Sequence, residues 1–426
     1  MLSVDEQLQL LMRGVVYGDE GVARAMESDL RERLAEGRPL RVYLGIDPTA
    51  PDLTLGHTVP MRKLRQFQQL GHEAVLLIGG YTALVGDPSD KECTRPMLTL
   101  EEIEANGRTY AEQAFKILDR ERTIVRNNAE WLSKLTFQEL IKIASHFTVG
   151  QFLQRDNFAK RRERGDPIYV HEFFYAFMQA YDAVALETDV QIGATEQLFN
   201  LMAGRTLQRA YGQRPQVAVC MPILVGTDGR VRMSKTQGNY IALNDAPEEM
   251  YGKVMSLPDD VMIDYFTLVT DVPAEEIEEM REQMESRVVN PMDVKKRLAR
   301  EIVSDLHGAD APQEAERDFD VRYGQHRRDQ VVVVPTATAR AVALPPTLSS
   351  TKTASIEQVK RLGLLKTLLV ARLVPSKSEG RRLLKQGAID VDGEPITSFD
   401  VELKVGSEIR VGKHQFLRVV DADKQE

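Results

Sequence analysis

Residues 43–57 read YLGIDPTAPDLTLGH, and the rest of the chain is organised around them. The apolar run at residues 42–46 predicts a buried strand. DPTAPD, residues 47–52, can continue neither strand nor helix, so the chain turns there. From Gly56 the period changes: Val59, Leu64, Phe67 and Leu70 recur at helical spacing, and Gly71 ends the helix. Strand, turn and helix start fall within one short unit. Its helix N-terminus offers unpaired N–H groups and the positive end of a dipole, which suits a phosphate. Most strand–turn–helix units hold none, so spacing alone does not choose.

Outward from this unit, AVLLI at residues 74–78 predicts a second strand, followed by Gly79 and Gly80. Residues 100–118 predict a helix with Thr99 as its N-cap, residues 123–125 a third strand, and residues 131–147 another helical stretch. Strands apolar on both faces, alternating with helices, imply an α/β fold with a parallel sheet covered on two sides. Ligands in such sheets sit beyond the carboxyl ends of the strands, where Asp47, Gly79, Gly80 and the loop GDPSDK (residues 86–91) fall. Lys91 and Arg95 close that loop, and taken alone they fit a solvated turn.

Residues 171–186, HEFFYAFMQAYDAVAL, are apolar nearly all round, the mark of a buried helix. Yet Tyr175, Gln179 and Asp182 share one face. A buried carboxylate needs a partner, and for Asp182 a neighbouring arginine, a capped helix end or a ligand would serve equally.

The bulk numbers bound the answer. At 426 residues the chain calls for two or three domains. With 42% hydrophobic and 28% charged residues it reads as an ordinary globular protein, and no apolar run approaches the ~20 residues of a membrane span. MLSVDEQLQLLMRG carries acids and no long apolar core, so an amphipathic helix is expected there rather than a signal peptide. Cys93 and Cys220 lie far apart in no paired motif, so neither a disulfide framework nor a zinc site is expected, which fits a reducing cytoplasm. A net charge of −9 excludes a protein that coats nucleic acid all over, so RNA contacts must be local.

DPTAPDLTLGH resembles the "HIGH" signature of class I aminoacyl-tRNA synthetases, in its tyrosyl-tRNA synthetase form. RMSKT at residues 232–236, after an apolar strand at 217–225, is similar to the second signature, "KMSKS". The resemblance implies a Rossmann-like doubly wound parallel sheet. By match, Gly56 lets adenine lie against the backbone and His57 steadies the phosphates, with Thr54 standing where the first histidine usually is. Thr49, Thr54, His57, Arg232, Lys235, Lys91 and Arg95 are the implied catalytic groups. Tyr43 and Asp182 resemble the pair that meets a phenolic hydroxyl, and Tyr175 and Gln179 the pair that holds the amino group. Thr82, Asp87, Gln191 and Gln197 complete the implied tyrosine pocket. Gly45, Asp47, Gly193 and Glu196 join Gly56, His57 and Lys235 at ATP, Glu196 replacing a frequent aspartate. Magnesium would arrive on ATP, and no protein-bound metal is expected.

Beyond residue 244 the strands stop, and helical runs cover residues 247–255, 258–268, 274–285, 291–306 and 313–322. The expected domains are a catalytic nucleotide-binding domain at 1–243, a helical anticodon-arm-binding domain at 244–330, a linker at 331–354 and a small α+β RNA-binding domain at 355–426. From residue 351 onward 14 Lys and Arg stand against 11 Asp and Glu, a positive excess in an acidic chain. That segment resembles the RNA-binding module shared by a ribosomal small-subunit protein and pseudouridine synthases. The resemblance implies tyrosine activation by ATP, transfer to tRNA(Tyr), a cytoplasmic homodimer, and no membrane or DNA partner. A tryptophanyl-tRNA synthetase and a non-catalytic RNA-binding relative are the alternatives.

Overall fold

The computed structural model describes residues 2–89, 99–323, 352–355, 363–371, 373–374, 377–401, 403–412 and 415–420. Among them the chain divides into two compact units, Met1–Asp320 and Val321–Glu426.

The first unit opens with helices α1 (Val4–Met12) and α2 (Glu20–Ala35). Ser3 caps α1, and Leu8, Leu11, Met26, Leu30 and Leu34 turn inward. β1 (Arg41–Ile46), α3 (Leu55–Gln69) and β2 (Glu73–Ile78) follow as the opening pattern predicts. Gly71, at φ +92°, takes the left-handed turn after α3 that a side chain would resist. Next come α4 (Leu100–Ala114), β3 (Thr123–Asn127), α5 (Ala129–Leu132), α6 (Phe137–Ala144), α7 (Val149–Leu153) and α8 (Asp156–Arg164). Thr99 caps α4 as expected. The single helical stretch expected over residues 131–147 is broken in two, because Thr136 starts a new helix by capping α6 with Glu139. α9 (His171–Ala185), β4 (Val190–Ala194), α10 (Leu198–Ala210) and β5 (Val217–Met221) complete the layer. β5 ends sooner than its apolar run, at Pro222, which has no N–H for a ladder.

The sheet order is β3-β2-β1-β4-β5, and every pairing is parallel. Chain direction across the sheet reverses between β1 and β4, which opens a crevice beyond their carboxyl ends. The expectation of cover on both faces holds for the inner strands and fails at β3. Ile124 and Val125 on this edge strand are 43% and 41% exposed. Among the described residues no further strand pairs with the outer side of β3.

Helices α11 (Pro247–Met255), α12 (Met262–Val269), α13 (Ala274–Glu285), α14 (Pro291–His307) and α15 (Ala311–Tyr323) then follow. One apolar cluster runs from Leu8 through Val219, Leu243, Tyr251 and Phe266 to Ala315, so packing is continuous across the boundary expected at 243. Arg62 and Arg65 of α3 both bind Asp271 and Asp305, pinning the helix to these later elements.

In the second unit the strands are β6 (Lys352–Ser355), β7 (Ile389–Val391), β8 (Glu394–Pro395), β9 (Glu408–Val411) and β10 (Gln415–Val420), in the order β6-β10-β9-β7-β8. With α16 (Leu364–Val370) and α17 (Lys377–Lys385) they enclose Leu364, Leu368, Ile389, Ile409 and Leu417. Of the linker expected at 331–354, residues 331–351 lie outside the described residues, as do Cys93, Lys91 and Arg95, and its last three residues belong to β6. Cys220 is buried in β5.

Candidate active site

Thr54, a catalytic group by the resemblance, is the N-cap of α3. It is buried, and its Oγ1 lies 2.9 Å from His57 Nδ1. The Thr54 N–H donates to the same nitrogen at 3.0 Å. An Nδ1 that accepts leaves the proton of the neutral ring on Nε2. Burial in the crevice, then the charge of Lys235, push His57 down to about 4. The ring is therefore a neutral donor at physiological pH. Thr49 lies in the turn after β1, where its N–H donates to the Asp47 carbonyl at 2.8 Å.

The second signature segment lies against the first. Leu55 N–H donates to Ile241 O at 2.8 Å and Leu243 N–H to Leu53 O at 3.0 Å. A side chain on Gly56 would meet Met233 Cβ at 3.8 Å. Lys235 Nζ lies 3.8 Å from Asp52 Oδ2, beyond hydrogen-bond length, and is buried without a hydrogen-bond partner. Burial lowers its pKa. Arg232 reaches Glu196 at 3.5 Å. Asn239 folds this loop: its Oδ1 accepts from Ser234 N–H at 2.9 Å, and its Nδ2 donates to Asp228 Oδ2 at 2.9 Å and Arg232 O at 3.1 Å. Sequence reading passed over Asn239, since an asparagine after a turn carries no distinctive signal.

On the other side of the crevice, α9 supplies Tyr175 and Asp182, both buried. One chain of hydrogen bonds links them. Tyr175 OH donates to Asp47 Oδ2 at 2.9 Å, and Thr82 Oγ1 to Asp47 Oδ1 at 2.7 Å. Asn128 Nδ2 donates to Thr82 Oγ1 at 3.0 Å and to Asp182 Oδ2 at 3.2 Å. Trp131 Nε1 donates to Asp182 Oδ1 at 2.7 Å. Neutral donors thus meet Asp182, rather than an arginine or a helix end. Burial, opposed by these two bonds, pushes Asp182 up to about 8. Asn128 and Trp131 were missed in the sequence, although their place just after β3 puts them at a strand's carboxyl end. Gly79 is required here, because any side chain would overlap Asp47 and Thr82. Asp47, expected at ATP, is engaged in this network.

Tyr43 of β1 is fully buried beside Ala183 and Leu186, and its hydroxyl has no partner. Burial and the Asp182 charge raise its pKa well above the ordinary tyrosine value. Gln179 Oε1 is likewise buried and unpaired. Gln197 accepts from Ala194 N–H at 3.0 Å and donates to Asp87 Oδ2 at 3.0 Å. Gln191 faces Gln216, whose amide donates to its Oε1. Gly193 leaves room for Leu201 and Gln197, which a Cβ would meet at 2.8 and 2.9 Å. Gly45 sits exposed near the end of β1.

A doubly wound sheet with paired signature segments at its switch point and a polar-walled pocket beside them defines a class I aminoacyl-tRNA synthetase. Residues 35–324 match the family described as tRNA synthetases class I (W and Y), and residues 362–409 match the S4 domain. The chain is 48% identical over 420 residues to the tyrosine–tRNA ligase of Moorella thermoacetica, covering 98% of this chain and 96% of that protein. It is 46% identical to the tyrosine–tRNA ligase of Thermotoga maritima, covering 98% of each. In fold it is similar to the tyrosyl-tRNA synthetase of Archaeoglobus fulgidus solved with L-tyrosine, at a TM-score of 0.58 and 23% identity over 74% of this chain and 99% of that one. The chain belongs to the class I tRNA synthetases of the tryptophan and tyrosine family.

Proposed function

We infer that the chain is a tyrosine–tRNA ligase, which joins tyrosine to ATP as tyrosyl-adenylate and then passes it to tRNA(Tyr). The observation that carries this reading is the Tyr43 hydroxyl, buried without a partner and close enough to Asp182 for the charge of that carboxyl to act on it. An apolar slot rejects phenylalanine weakly, whereas buried groups awaiting a hydroxyl reject it strongly because they stay unpaired. Tyrosyl-tRNA synthetase is itself the reference case for that effect, about 10⁵ against phenylalanine. Each Asp182 oxygen accepts one bond and keeps a lone pair for the substrate phenol.

Tyr175, Gln179 and Asp87 hold the amino group at the opposite end, with Thr82, Gln191 and Gln197 supporting the pocket. The tyrosine carboxylate, already ionised, attacks the α-phosphorus in line, so no general base is needed. Charge then builds on the departing pyrophosphate. The neutral His57 donates from Nε2, Lys235 and Arg232 bring positive charge, and the first turn of α3 adds its free N–H groups. Gly56, Gly193 and Glu196 take the adenosine. ATP enters as its magnesium complex, the ion belonging to the substrate. The Lys235 ammonium supports this reading, because among the described residues its partner is the loose 3.8 Å ion pair with Asp52, which leaves its N–H groups without a hydrogen bond.

The second unit takes the tRNA, and its positive excess supports that role. A second copy covers the apolar surface near the β3 edge. Ile124, Val125, Phe137, Ile141 and Val149 are exposed there or on the helices that follow, Phe137 at 77%. The protein works in the cytoplasm. No described helix is long and apolar enough to cross a membrane.

Amino-acid-dependent ATP–pyrophosphate exchange tests the activity. Exchange with tyrosine and little with phenylalanine is expected, and exchange driven by tryptophan alone would overturn the reading. Light scattering tests the dimer, and a monomer at micromolar concentration would remove it.

A further inference from the structure

We propose that Arg155 is a positioning residue for tyrosine activation, holding the Asp87 carboxylate at the amino end of the pocket through Ser89. This rests on the reading that Asp87 meets the amino group of tyrosine. Arg155 precedes α8 and is only 7% exposed. Its guanidinium lies 5.3 Å from the Phe158 ring centre and 4.7 Å from that of Phe199. Its Nη2 donates to Ser89 Oγ at 2.5 Å, and the Ser89 N–H donates to Asp87 Oδ1 at 2.8 Å.

The short segment from Asp87 to Ser89 is held from both sides. Asn157 Nδ2 donates to Pro88 O at 2.6 Å. From α10, Asn200 Nδ2 lies 3.4 Å from Asp87 Oδ1 and 3.3 Å from Ser89 Oγ. Gln197 closes the set on Asp87 Oδ2. Among the described residues Arg155 contributes the one cation in this clamp; burial disfavours its charge, and the carboxylates of Asp87 and Glu172 favour it.

Fold stability alone does not explain an arginine here. Sinking a guanidinium among aromatic rings carries a large desolvation cost, and an unbranched apolar side chain would fill the slot without it. The Nη1 atom is buried with no hydrogen-bond partner, a further cost. Gripping Ser89 accounts for the charge, because a charge-assisted bond fixes direction more firmly than a neutral one. Asp87 is then aimed before tyrosine arrives, which lowers the ordering cost of binding.

Pyrophosphate exchange on the full chain tests this. Arg155→Met should raise the tyrosine KM about tenfold, the loss of one well-aimed charged contact, with kcat and the ATP KM nearly unchanged. Ser89→Ala should move the same parameter, and the double variant should be no worse than the worse single one. Arg155→Lys should recover part of the loss. Additive effects, or tyrosine and ATP KM rising together with a falling melting temperature, would overturn the proposal. Asp87→Asn separates the two levels of inference. An unchanged tyrosine KM in that variant removes the reading beneath. A raised KM there with normal Arg155 and Ser89 variants removes this inference alone. If Arg155→Met does not fold, Ser89→Ala decides: a normal tyrosine KM overturns the clamp and a raised one supports it.

Discussion

Tyr43→Phe deletes one oxygen from a fully buried ring, and that oxygen has no partner in the free protein. No intramolecular hydrogen bond is lost, so the melting temperature of the ligand-free variant should equal or exceed that of the parent. On the proposed reading, the same oxygen meets the substrate phenol when tyrosine is bound. A neutral hydrogen bond contributes a net ~0.5–1.5 kcal/mol, which is about 2- to 13-fold in the ratio of kcat/KM for tyrosine over phenylalanine. Most of the discrimination should remain, because the buried Asp182 carboxyl still loses its phenol partner when phenylalanine binds. Thermal unfolding without tyrosine gives the first quantity, and exchange kinetics with both amino acids give the second. A clear drop in stability with unchanged discrimination would refute the reasoning, since Tyr43 would then serve the fold and not the substrate.

Lys235→Ala should reduce the rate of adenylate formation by roughly 10²–10³, the usual loss when one transition-state charge contact goes, while equilibrium tyrosine binding survives. Equal loss of both would make Lys235 structural. His57 has a folded pKa of about 4 against an ordinary value of 6.5, so the unfolded chain takes up a proton first as pH falls. Stability should therefore decline from about pH 6.5 toward 4, by at most ~3 kcal/mol, and His57→Gln should flatten that limb. Denaturant melts at several pH values check it, and an unchanged slope in the variant would remove His57 as the cause. Trp131→Phe leaves Asp182 Oδ1 without its donor, so the tyrosine KM should rise severalfold while the ATP KM stays. Ending the chain after residue 323 should preserve exchange and abolish most tRNA charging, because the two units have separate cores.

Much of this architecture was legible in the sequence because it rests on periodicity. The change from apolar run to helical spacing across residues 42–70 marked β1, the turn and α3, and Thr99 marked α4. Helix spacing set Tyr175 and Asp182 on one face, whereas Tyr43 joined them only through the resemblance to the tyrosyl-tRNA synthetase family. What stayed hidden depends on contacts between distant segments. Asn128, Trp131 and Asp182 are joined across 51 and 54 residues, and no local pattern signals such a pairing. The contact of Thr54 with His57 likewise follows from the N-cap geometry of α3, which the signature alone does not signal. The exposed edge at β3 was hidden for another reason. An apolar strand at an open sheet edge reads the same as one covered on both sides.

A crystal structure with a non-hydrolysable tyrosyl-adenylate analogue tests the central claim most directly. The phenol oxygen should lie within hydrogen-bond distance of both Tyr43 and Asp182, with the phosphate beside His57. A phenol pointing away from that pair, or a phosphate remote from the N-terminus of α3, would contradict it.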